Sequence, residues 1–122
     1  MNNPIIKYDE ISDTLTICFI PGRSATGIEL TDHILLRINY QERQPVSIVI
    51  FEYSVLAQKT NIGERSFPIT GLSHLTPEMS EIVFDILQQK PVNDFLRLSA
   101  YTLSLVEIVP IISLQSLSLA AI

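Results

Sequence analysis

This chain has little of what marks the commoner functional classes. It holds one cysteine, Cys18, among 122 residues, so no disulfide can close within it. The place of that thiol in an apolar run predicts a reduced, buried side chain in a reducing compartment. No Lys or Arg neighbours another, and 13 acids against 8 bases leave a net charge of −5. Displacing counterions from phosphates takes clustered basic residues, so direct binding of nucleic acid is not expected. The start, Met1-Asn2-Asn3-Pro4, lacks the basic and apolar segments of a secretory signal, so no export is expected and the cytoplasm is the expected location. No apolar run reaches the ~18 residues of a membrane span. The richest stretch, Leu103 to Ile122, is interrupted by Glu107, Pro110, Gln115 and four serines.

Motifs that carry chemistry are equally sparse. Gly22, Gly27, Gly63 and Gly71 are scattered and build neither a phosphate-cradling loop nor a dinucleotide fingerprint. His33 and His74 stand at metal-ligand spacing from no Cys or His. A nucleophile–base pair of Ser24 or Ser54 with His33 lacks the G-x-S-x-G elbow that would give it context. The acids Asp9, Glu10, Asp13, Glu29 and Asp32 are better read as turn formers than as a hard-cation site, because the ordered ligand spacing and glycine of a calcium loop are missing. No cofactor is implied.

What the chain does have is apolar patterning. It is 47% hydrophobic and 17% charged, below the ~25% charge of ordinary globular domains. Its length fits one domain, residues 1–122, and surplus apolar surface of this kind is best buried between subunits. Thr14 to Ile20 alternates with period two, placing Leu15, Ile17 and Phe19 on one face. Ala25 to Leu30 and Ile34 to Tyr40 alternate in the same way, with turns at Pro21-Gly22 and Thr31-Asp32-His33. Val46 to Tyr53 is apolar in both registers and is expected to be buried on both faces. Residues 57–75 read as a linker. Thr76 is placed to cap a helix that begins at Pro77 and carries Met79, Ile82, Val83, Ile86 and Leu87 as one stripe until Pro91 stops it. Beyond it, Asn93 to Tyr101 suits a short helical turn running into a strand, with Leu96, Leu98 and Ala100 on one side, and Val106 to Leu114 a final strand that completes a C-terminal hairpin, with Pro110 marking an edge or a bulge. The expected fold is α+β: a twisted antiparallel sheet of hairpins over 7–56, then a packed helix and a hairpin over 76–122.

The run Tyr8-Asp9-Glu10, Asp13-Thr14-Leu15, Glu29, Asp32-His33-Ile34-Leu35-Leu36, Val46-Ser47-Ile48-Val49-Ile50-Phe51 and Ser54 resembles a family of small bacterial domains of unknown function, numbered 2283. The likeness covers roughly residues 7–56. It implies antiparallel hairpins and, from the company such domains keep beside toxin-like genes, an antitoxin or partner-binding role. The family's Gly-Ile-Glu-Ile segment stands here as Ser47-Ile48-Val49-Ile50, which replaces a polar exposed position by an apolar one.

The first functional expectation is therefore a non-enzymatic interaction or regulatory module that forms a homodimer or larger homo-oligomer, with Val49, Phe51, Tyr53, Leu117 and Leu119 at the interface and a toxin as a candidate protein partner. Tyr40, Phe51 and Tyr53 are of the residue type that stacks bases, but they have no basic neighbours and are expected in the sheet or an interface. The alternative is a small-ligand or enzymatic domain with a pocket edged by Asp32, His33 and Arg37, because Arg37 is the one cation embedded in a strand of the first sheet.

Overall fold

The computed structural model describes residues 3–115. Alternation of β-branched and polar residues produces five strands in the first half: β1 (Ile5–Asp9), β2 (Thr14–Cys18), β3 (Thr26–Thr31), β4 (Ile34–Asn39) and β5 (Gln44–Phe51). They form one antiparallel sheet in the order β1-β2-β5-β4-β3. The strand with the most apolar residues, β5, lies at the centre, where it has neighbours on both edges. Every second residue turns to one face, so Leu15, Ile17, Ile28, Leu30, Ile34, Leu36, Ile38, Ile48 and Ile50 lie at 4% exposure or less.

That face is covered from the second half of the chain. After a single helical turn, α1 (Tyr53–Leu56), come β6 (Phe67–Pro68), the main helix α2 (Pro77–Leu87), β7 (Leu96–Thr102) and β8 (Ile108–Leu114). Thr76 caps α2 by accepting from the Met79 amide at 3.2 Å, and Pro77 occupies the first helical position. Val83, Ile86 and Leu87 of the expected stripe are buried, while Met79 and Ile82 are half-buried. The late strands form a second antiparallel sheet in the order β6-β8-β7. Leu96 and Ile112 join it to the first sheet in a continuous apolar cluster. The fold is α+β, as the sequence predicts.

Four expectations need correction. Residues 57–75 are not a detached linker: β6 pairs with β8, and Ile69 is buried in the core. The Thr70 amide bonds to the Leu30 carbonyl at 3.1 Å, so this segment straps the β3 edge. Val46 to Tyr53 is not a continuous strand buried on both faces. It stops at Phe51, since Glu52 adopts left-handed backbone angles (φ 53°, ψ 44°). Val49 is half-buried and Phe51 is 41% exposed on the face away from the helix. Cys18 shares that outer face and is half-buried rather than enclosed. Pro110, finally, marks neither an edge strand nor a bulge. It stands in the central strand β8 opposite Ile69, just past the end of β6: its carbonyl accepts from the Ile69 amide at 2.9 Å, and its missing amide hydrogen leaves the reciprocal bond unmade where the β6 ladder ends.

Candidate functional site

The best-connected polar cluster joins the two ends of the first sheet. Asp13, at φ 53° in the turn between β1 and β2, accepts from Tyr8 Oη at 2.7 Å, Ser54 Oγ at 2.6 Å and the Ser54 amide at 3.0 Å. Its backbone carbonyl accepts from the Tyr53 amide at 3.0 Å. The donated bond from Ser54, and then that from Tyr8, hold the Asp13 carboxyl below its ordinary range. Reciprocally, the bond to Asp13, burial and the nearby negative charge push the Tyr8 phenol up to about 12. The cluster is a structural clasp, because each polar group in it is engaged by another member. It joins three residues, Tyr8, Asp13 and Ser54, from β1, the β1–β2 turn and α1.

This clasp also decides the fate of the serine–histidine pair. Ser54 gives its hydroxyl to Asp13, while His33 Nε2 lies 3.6 Å from Glu52; the two do not form a nucleophile–base unit. Asp9 accepts from the Ile11 amide at 3.0 Å, a bond of the turn-forming kind. Among the described residues, no group of three His, Cys, Asp or Glu could hold a metal ion.

The residues singled out as a pocket or an interface scatter. Asp32 is exposed in the β3–β4 turn. Arg37 reaches Ser47 at 3.3 Å across β4 and β5, and it is not the one strand cation of the first sheet, because Lys7 stands in β1. Asp32, His33 and Arg37 line neither the groove beside α2, the cleft at Pro91, nor the smaller depressions near Lys59, Tyr40 and Ser12. Val49 and Phe51 share the outer sheet face, but Tyr53 is 5% exposed and sits in the core. The reversal at Glu52 turns it inward, where its ring meets Tyr8 edge-on at 6.0 Å. Tyr53 is therefore withdrawn from the interface set. Tyr40 packs against the core as well, so no stacking platform forms with Phe51. Leu117 and Leu119 lie outside the described residues.

A cluster of exposed apolar side chains among the described residues was missed from the sequence. β7 and β8 form a regular hairpin, from Leu96 opposite Leu114 to Thr102 opposite Ile108. Its base is buried and its tip projects: Tyr101 is 56% exposed, Leu103 55%, Leu105 102%, Val106 95% and Ile108 64%. An open groove of about 610 Å³ runs between the end of α2 and β7, with Phe84, Leu87, Leu98 and Pro110 among its walls. Between residues 96 and 115 only Arg97 and Glu107 are charged. The signal was available in the stretch from Leu103 to Ile108, whose apolar residues fall at a turn. A polar loop would be the ordinary choice there.

Comparison of the chain with protein-family models, with curated proteins and with solved structures gave no match. No helix among the described residues is long and apolar enough to cross a membrane.

Proposed function

We propose that this chain is a non-enzymatic protein-interaction module that self-associates, with the β7–β8 hairpin as its contact surface. One observation carries the reading: five large apolar side chains, Tyr101, Leu103, Leu105, Val106 and Ile108, stand at least half exposed on one projecting hairpin. A contiguous apolar surface of this kind marks an association site. The hairpin replaces Tyr53 in the expected interface, and Val49 and Phe51 on the outer sheet face form a lesser apolar area. A cytoplasmic setting suits the free, half-exposed thiol of Cys18.

An antitoxin-like role toward a toxin partner extends the proposal, and it rests on the resemblance over residues 7–56. The meeting of Tyr8, Asp13 and Ser54 in one hydrogen-bonded clasp supports that resemblance, because widely separated members of the pattern then share one structural task.

Sedimentation velocity over a micromolar concentration range tests the association. The wild-type chain is expected to form a dimer or larger species, and the Leu105→Asp, Val106→Asp double variant to shift toward monomer with unchanged circular dichroism. A wild-type chain that remains monomeric throughout overturns the self-association.

A further inference from the structure

We infer that a second copy of this chain adds to the free edge of β7, so that two hairpins form one continuous antiparallel sheet about a two-fold axis at Ser99; this rests on the interaction-module proposal and names its partner.

The backbone shows which groups are free. The Ile69 amide donates to the Pro110 carbonyl at 2.9 Å and the Gln115 amide to the Phe95 carbonyl at 2.9 Å. Even-numbered residues of β8 thus face β6, and odd-numbered ones face β7. The register sets Ser99 opposite Ile111. Hydrogen-bonding direction alternates along an antiparallel strand. Arg97, Ser99 and Tyr101 therefore bond to β8, while Leu96, Leu98, Ala100 and Thr102 turn their N–H and C=O groups outward. Among the described strands, none pairs with that side.

The other sheet edges carry the protections that keep edges from pairing. β1 has Lys7 at its middle and follows Pro4. β3 is bulged between Glu29 and Thr31 and strapped by Thr70. β6 is two residues long and ends in Pro68. In contrast, β7 runs for seven residues without a bulge, a proline or a lysine. An edge of that kind is a template for another strand.

A second copy fits this template because β7 is complementary to itself in the antiparallel sense. With the axis at Ser99, Leu96 of one copy pairs with Thr102 of the other, and Leu98 with Ala100. This register uses every outward backbone group. The charges agree with it. Arg97 lies at the base of the hairpin and Glu107 at its tip, so antiparallel pairing brings each end toward the end of opposite charge on the other copy. A parallel arrangement would set like beside like. The same operation brings the apolar tip of each copy, with Leu103, Leu105 and Val106, toward the groove between Leu87 and Leu98 on the other. Both copies are satisfied at once, so the assembly closes as a dimer instead of growing.

Two variants of the full chain test the pairing. Ala100→Pro removes an outward amide hydrogen and leaves the β7–β8 ladder bonds in place. It is expected to raise the dimer dissociation constant at least tenfold in sedimentation, with an unchanged circular dichroism spectrum. Ser99→Cys, made with Cys18→Ser, puts one thiol per copy at the axis. There a non-hydrogen-bonded antiparallel pair holds its Cα atoms ~4.5 Å apart, within disulfide reach. Mild oxidation with oxidised glutathione is expected to yield a covalent dimer, while Asn61→Cys in the same background, far from the hairpin, does not. A dimer that Leu105→Asp, Val106→Asp dissolves, yet in which Ser99→Cys fails to cross-link, overturns the β7 pairing and leaves the interaction module standing. A wild-type monomer overturns both. If Ala100→Pro disturbs the fold, the cross-link alone decides. Cross-linking abolished by deleting residues 116–122 or restored only with another protein present also overturns the pairing, since β7 alone must suffice.

Discussion

The phenol of Tyr8 donates a 2.7 Å hydrogen bond to Oδ1 of Asp13, and Asp13 in turn receives two bonds from Ser54, 41 residues further along the chain. A turn in the first hairpin is thereby tied to the exit of the central strand. Asp13→Ala loses both side-chain acceptor oxygens, keeping only the backbone carbonyl that binds the Tyr53 amide, and places a β-carbon residue with no local polar contact in the left-handed region. Asp13→Asn keeps an acceptor and tolerates those backbone angles. The thermal midpoint should fall in the order wild type, Asn, Ala; an Ala variant as stable as wild type would remove the clasp from the account of the fold.

The same contact has a pH signature at each end of the scale. The Asp13 carboxyl is held below its ordinary range, so its contribution to stability is present above the unfolded value near 3.8 and is lost as pH falls through the folded one. For Tyr8 the sign is opposite: its contribution is full below 10.0 and is lost as pH rises through about 12. Urea midpoints measured against pH should show a shallower acid limb for Asp13→Asn and a shallower alkaline limb for Tyr8→Phe. The alkaline limb should not vanish, because burial also raises Tyr40 and Tyr53.

Gly71 lies so close to β3 that a Cβ there would stand 1.5 Å from the Glu29 carbonyl oxygen. Gly71→Ala must move the strap or the strand, and overpacking of this kind costs ~1–3 kcal/mol. Chemical denaturation should register the loss, and amide exchange should show Glu29 and Leu30 opening first.

Ile112, fully buried in β8, touches the core that both sheets share. Ile112→Ala should cost ~2–5 kcal/mol and shift one cooperative transition. Two separate transitions would mean that the sheets fold independently.

At the hairpin tip the expectation reverses. Leu105→Ser and Val106→Ser alter side chains at 102% and 95% exposure, so each should change the stability of the monomer by less than ~0.5 kcal/mol. Their effect should appear in the association equilibrium, read by sedimentation, and in the melting curve only at concentrations where the wild-type chain is associated, because association stabilises the folded state by mass action.

Much of the fold was legible because its causes are local. Alternation in Leu15-Thr16-Ile17 and Ile34-Leu35-Leu36 sets which side chain meets which face, and Thr76-Pro77 starts a helix by capping and a fixed φ. The interface was less legible. Tyr53 continues the pattern of β5 in sequence, but the Asp13 carbonyl holds its amide after the reversal at Glu52, and the ring points into the core. Local periodicity carries no trace of a partner 40 residues away.

Sequence by itself determined β2, β3, β4, the late hairpin, the helix with its cap and the α+β class, since each depends on residues a few positions apart; β6 and the end of β5 were not among them. Tertiary structure decided which face of the first sheet is covered, how Asp13 finds Ser54, and that β7 is the last of the described strands in its sheet. Those are matters of strand order and register, fixed by the competition among apolar faces for one core, and no short stretch of residues encodes them.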